Sequence, residues 1–184
     1  MAAVEFDVGY SERRSRLTTF FRGILVIPHL ILLTLWQYVV QALAVIQWFI
    51  ILFTGRRNAG IWGFTNTWLG YAGRVMAYHG VLFDPYPAFG AGPGPVPVRY
   101  ALVDEEPADR LTNGLRIVWA IPAVILGMLV GIAGTVVTIV SWILIVITGR
   151  QPESQFAFLV KVHRYMVRLN AYTLLLTDTY PKYD

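Results

Sequence analysis

The sequence predicts an all-α integral membrane protein made of two tandem repeats, and three observations carry that reading. Only 14% of its 184 residues are charged while 56% are hydrophobic, against about a quarter charged in an ordinary soluble domain. Two stretches of 33 residues, between Arg22 and Arg56 and between Arg116 and Arg150, contain no Asp, Glu, Lys or Arg. The chain also matches itself without gaps at an offset of 94. This composition argues against a disordered chain, a disulfide-stapled secreted domain (there is no cysteine) and a typical cytosolic enzyme.

The repeat shows in residues that hydrophobic bias would not align. Arg16-Leu17-Thr18 meets Arg110-Leu111-Thr112, Arg22 meets Arg116, and Ile27-Pro28 meets Ile121-Pro122. Trp48 meets Trp142, and Thr54-Gly55-Arg56 meets Thr148-Gly149-Arg150. Arg74, Tyr78, Asp84 and Tyr86-Pro87 meet Arg168, Tyr172, Asp178 and Tyr180-Pro181. A duplication follows, with a first repeat at 1–89, a Gly/Pro linker at 90–97 and a second repeat at 98–184.

Each repeat opens on a short alternating stretch, residues 4–8 and 98–102, which reads as a strand at period two. An arginine-rich approach and the charge-free stretch follow. That stretch closes on Thr-Gly-Arg, a helix stop beside a membrane-edge cation. The first 22 residues carry Glu5, Asp7, Glu12 and four arginines, unlike a cleaved signal peptide.

A 33-residue helix is about 50 Å long, against about 30 Å of hydrocarbon. The stretch therefore either tilts as a long apolar helix or folds back as a hairpin. Gln37 and Gln41, and Gly127, Gly131 and Gly134, offer break points. Hairpins would put all 15 basic residues on one face, so the positive-inside tendency favours them.

A second helix is expected over 61–83 and 154–176. In the latter, Lys161, Arg164 and Arg168 fall at i, i+3 and i+7, one basic stripe opposite an apolar side. Each would cost about 2.5–3.5 kcal/mol at mid-bilayer. The pattern fits an amphipathic helix in the headgroup plane, drawn to anionic lipid.

Catalytic signals are missing from the sequence. His29, His79 and His163 lack metal-ligand spacing, and there is no phosphate loop or nucleophile motif. No cofactor, metal or nucleic acid is expected, and a non-enzymatic role follows. The best constellation is the duplicated Arg-x3-Tyr-x5-Asp-x-Tyr-Pro: Arg74, Tyr78, Asp84 and Tyr86, then Arg168, Tyr172, Asp178 and Tyr180. It reads either as a headgroup site, with Arg56 or Arg150 holding phosphate, or as a structural turn in which Asp pairs with an arginine of the Thr-Gly-Arg loop.

Tyr10-Ser11-Glu12-Arg13-Arg14-Ser15-Arg16, Ile27-Pro28-His29, Phe53-Thr54-Gly55-Arg56 and Leu176-Thr177-Asp178-Thr179-Tyr180-Pro181 together resemble the bacterial membrane family called domain of unknown function 4389. The resemblance covers nearly the whole chain, twice. It implies a bacterial multi-pass membrane protein and no particular activity. The second repeat departs from the pattern at Asp104-Glu105-Glu106-Pro107 and lacks the His after Pro122.

The expected function is an accessory or scaffold subunit, or a membrane-organising factor, in the bacterial plasma membrane with its basic flanks cytoplasmic. Its partners would be anionic lipids and a protein partner or second copies of itself. A small oligomeric transporter or channel, and a lipid-binding or lipid-modifying enzyme, are the alternatives.

Overall fold

A computed structural model describes residues 4–92, 94–103 and 107–184. Pro93 of the linker and the divergent Asp104-Glu105-Glu106 lie outside them. The chain order is β1 (Val4–Val8), α1 (Arg16–Leu25), α2 (Ile27–Thr54), α3 (Ala59–His79), β2 (Val98–Leu102), α4 (Arg110–Thr148) and α5 (Glu153–Thr173).

Ser15 and Asp109 start the two long helical stretches in the same way. Each side chain accepts a hydrogen bond from the N–H three residues on, Thr18 at 3.3 Å and Thr112 at 2.5 Å, satisfying one free donor of the helix start. Gly55 and Gly149 end the stretches in the left-handed region, at φ 70° and 72°, where glycine carries no Cβ penalty.

The charge-free stretches do not fold back, which corrects the hairpin expectation. Arg16–Thr54 and Arg110–Thr148 each run 39 residues, both long and apolar enough to cross a membrane. The first bends only at Val26, beside Pro28 in the first turn of α2, whereas α4 accommodates Pro122 within the helix. The glycines that looked like break points serve packing instead. A Cβ on Gly127 would meet Leu169 at 2.7 Å, and one on Gly134 would meet Val162 at 2.8 Å. They let α5 approach α4 closely.

The two long stretches lie antiparallel. Arg14 N–H donates to the Gly149 carbonyl at 3.0 Å at one end, and Ala108 N–H donates to the Gly55 carbonyl at 3.0 Å at the other. Trp48 and Trp142 tie them together, donating to the carbonyls of Asn113 (2.9 Å) and Thr19 (2.8 Å). Asn113 and Thr19 are themselves repeat equivalents, so the ties are reciprocal.

The all-α expectation also needs amending, because β1 and β2 form a two-stranded antiparallel sheet. Its register pairs Phe6 with Tyr100, two residues equivalent under the offset of 94, so the pairing itself is twofold symmetric. Val4, Phe6 and Val8 are buried, while Glu5 and Asp7 point outward. The buried side packs on α3 and α5: a Cβ on Gly73 would lie 3.1 Å from Phe6 and 3.5 Å from Val167. The molecule is thus three layers, with the sheet outermost, α3 and α5 in the middle, and the long apolar helices on the far side. Helix α5 is not a separate surface helix but part of that middle layer.

Candidate functional site

Two buried arginines anchor two equivalent polar knots, one in each repeat. Arg22, 2% exposed, donates from Nη1 to the carbonyls of Tyr78 (2.6 Å) and Phe83 (2.7 Å), and from Nη2 to Asp84 (2.8 Å). Its guanidinium lies 4.5 Å from the Tyr78 ring centroid. Arg116 repeats the pattern on the Tyr172 (2.5 Å) and Thr177 (2.8 Å) carbonyls, on Asp178 and over the Tyr172 ring at 4.5 Å. Each Asp also accepts the backbone N–H of a helix-cap residue, Ser15 at 2.8 Å or Asp109 at 2.9 Å.

Each knot is completed by the other repeat. Arg57 crosses to repeat two, donating to the Leu175 (2.8 Å) and Pro107 (3.0 Å) carbonyls and pairing with Asp178 at 2.6 Å. Its equivalent, Gln151, crosses to repeat one and accepts from Arg14 Nε at 3.1 Å, while Arg14 Nη2 donates to the Leu82 carbonyl at 2.7 Å. Burial lowers the Arg14 pKa, and Asp84 opposes that shift.

The candidate constellation therefore separates into two groups. Tyr78, Asp84, Tyr172 and Asp178 join the knots, whereas Arg74 and Arg168 turn toward the sheet side. Arg74 donates to the Gly90 carbonyl at 2.9 Å. Arg168 donates to the carbonyls of Val4 (3.4 Å) and Lys182 (2.9 Å) and pairs with Asp184. Arg164 reaches the Phe6 carbonyl at 2.9 Å and Asp7 at 3.4 Å. Two members of the expected lipid-facing stripe thus hold β1, and only Lys161 is left exposed among the three. Tyr86 and Tyr180 are exposed, and Tyr86 donates to the Leu25 carbonyl at 3.1 Å. In the first Thr-Gly-Arg loop it is the following residue, Arg57, that pairs with an aspartate, Asp178. Arg56 is exposed, and Arg150 lies 3.6 Å from Glu12 at the surface.

Two equivalent apolar grooves flank the long helices. One, about 420 Å³, is lined by Arg22, His79, Gly134, Trp142, His163 and Met166. The other, about 510 Å³, is lined by Val45, Trp48, Arg116, Ala120 and Thr173. His29 sits outside both, buried and stacked on Phe89 at 4.1 Å with Nδ1 at 2.5 Å from the Tyr71 hydroxyl. The equivalent Tyr165 hydroxyl donates instead to the Ala123 carbonyl at 2.8 Å, where the second repeat has no histidine. No group of three or more His, Cys, Asp or Glu placed to hold a metal occurs among the described residues.

The residues that sequence reasoning passed over are Arg14, Arg22, Arg57 and Arg116. The identity of Arg22 with Arg116 was a usable signal, since charge at the border of an apolar stretch is expected anyway and its repetition is the added information. Arg57 offered none, because its equivalent is Gln151.

A family model described as domain of unknown function, DUF4389, matches residues 16–90 and 110–183. The chain belongs to that family. Each matched region contains one long helical stretch and the buried arginine and aspartate of one knot, and neither includes β1 or β2. No curated protein and no solved structure matches the chain.

Proposed function

We propose that this DUF4389 protein is a non-enzymatic membrane protein of the bacterial plasma membrane, one that organises lipid or scaffolds a protein partner. The observation that supports it best is the division of labour among its cations. Arg14, Arg22, Arg57 and Arg116 are consumed inside the fold, while Arg13, Arg16, Arg56, Arg110 and Arg150 are exposed at the ends of two apolar helical stretches. Exposed arginines bordering apolar surface suit anionic headgroups. The outward flanks of the helices carry large exposed apolar side chains, among them Ile31, Leu35, Ile46, Ile125, Leu129 and Ile132. A patch of that extent is a liability in water and a docking surface in lipid.

Vesicle flotation tests this reading. The purified chain is expected to float with vesicles of mixed phosphatidylglycerol and phosphatidylcholine, with recovery falling several-fold when Arg13, Arg16, Arg56 and Arg150 are all replaced by Gln. Equal flotation of both forms would remove the role of the arginines. Full solubility of the chain without lipid or detergent would remove the membrane reading itself.

A further inference from the structure

Resting on that membrane reading, we propose that the two long helical stretches lie in the plane of a single lipid leaflet rather than crossing the bilayer. The molecule's pseudo-twofold axis then stands along the membrane normal, and the sheet faces water. The lipid surface is the partner of the whole apolar layer.

Length is the first argument. Thirty-nine helical residues extend about 58 Å, nearly twice the roughly 30 Å of hydrocarbon. Tilt could absorb some of that excess, but the layer order decides against an upright pose. Helix α5 packs on the middle of α4, at Gly127, Gly131 and Gly134, through Leu169, Met166 and Val162. On its other side α5 carries β1, held by Arg164 and Arg168. The sheet therefore lies level with the midpoint of α4. Glu5 and Asp7 on β1, Arg99 on β2 and Lys161 on α5 are all exposed. If α4 stood upright, these four charges would sit at mid-bilayer depth, at about 2.5–3.5 kcal/mol for each. Laid flat, all four face solvent.

The long helices themselves give the same answer. Gln37 and Gln41 are exposed at the middle of the first stretch, the depth at which a spanning helix meets the driest hydrocarbon. In plane, they reach the headgroup layer. The exposed arginines at the two ends also come to one depth: Arg13, Arg16 and Arg150 at one end, Arg56 and Arg110 at the other. An upright pose would divide these cations three to two between the two sides, a weak positive-inside bias to orient it. The exposed apolar side chains follow the same logic. They are concentrated on α1, α2 and α4, whereas α5 contributes none and α3 only Phe64 and Met76 among the large ones.

Because the chain has no cysteine, paired cysteine variants can test this on single molecules. The full-length R16C/R56C variant places one thiol at each end of the first long stretch. After reconstitution into sealed phosphatidylglycerol/phosphatidylcholine vesicles, it is treated with a membrane-impermeant maleimide and weighed intact. An in-plane molecule carries two labels or none, whichever leaflet it occupies. A spanning molecule carries one. A dominant singly labelled species overturns the in-plane proposal and leaves the membrane reading standing. Failure to float with vesicles at all would overturn both. The R13C/R110C pair repeats the test should the first variant not fold, and D7C must label together with whichever pair is labelled.

Discussion

Arg22 and Arg116 each satisfy two carbonyls and a carboxylate with one planar group, which an ammonium cannot do with the same geometry. Removing Arg22 takes from Asp84 its ion-pair partner, removing Arg116 leaves Asp178 to Arg57 alone, and each change takes the side-chain donor from a buried carbonyl, that of Phe83 or Thr177. Arg22→Ala and Arg116→Ala are each expected to cost about 3–5 kcal/mol, read as a drop in the denaturation midpoint in detergent, with Lys recovering only part of it. Arg56→Gln should change stability by less than about 0.5 kcal/mol while weakening vesicle binding. The histidines give a pH dependence of definite sign. Burial lowers the His163 pKa below its ordinary 6.5, so the unfolded chain takes up a proton more readily than the folded one. Stability is then present above that pH and declines as pH falls below it. His163→Gln should flatten thermal stability between pH 7 and pH 5, and an unchanged slope would show that another group sets it.

At the scale of elements, glycine positions separate packing from propensity. A Cβ at Gly134 would press on Val162 at 2.8 Å, so Gly134→Ala should destabilise the α4–α5 contact by about 1–3 kcal/mol. Gly63, within α3, has nothing within 4 Å of its would-be Cβ. There Ala should stabilise by about 0.5–1 kcal/mol, and thermal melts of the two variants give the comparison directly. The same residues show how far the sequence could be read. The repeat, the two long apolar stretches and the alternating stretches at 4–8 and 98–102 were all legible, because periodicity and charge are local properties. The hairpin expectation fails because Gly127, Gly131 and Gly134 say only that a Cβ is missing. Whether that permits a bend or a close neighbour depends on α5, which lies elsewhere in the chain. Likewise the Lys161, Arg164 and Arg168 stripe was real, but what it faces is β1, some 160 residues away, and no local pattern names that partner.

The whole molecule is held together by exchange between its halves. Phe6 packs near Gly73 and Val167, Arg57 reaches Asp178, and Trp142 reaches Thr19. Neither repeat can close its own polar network alone. Separately expressed segments 1–92 and 98–184 should therefore each be protease-sensitive, yet assemble into a protected complex when expressed together. Protection of either segment by itself would contradict the exchange. Phe6→Ala, at the symmetric centre of the sheet, should cost about 3–5 kcal/mol and loosen both halves together rather than one.

The pairing of Phe6 with Tyr100 carries a corollary about stoichiometry. A polypeptide with one copy of this unit could align its strand in the same register only against the strand of a twin, and its stray arginine would find a carboxylate only there. The Gly/Pro tether thus changes the order of the reaction rather than the shape of the product: association that would depend on abundance becomes a unimolecular event at an effective concentration on the order of millimolar. Fusion also frees the halves to diverge, which is how one copy could come to hold His29 where the other holds Ala123.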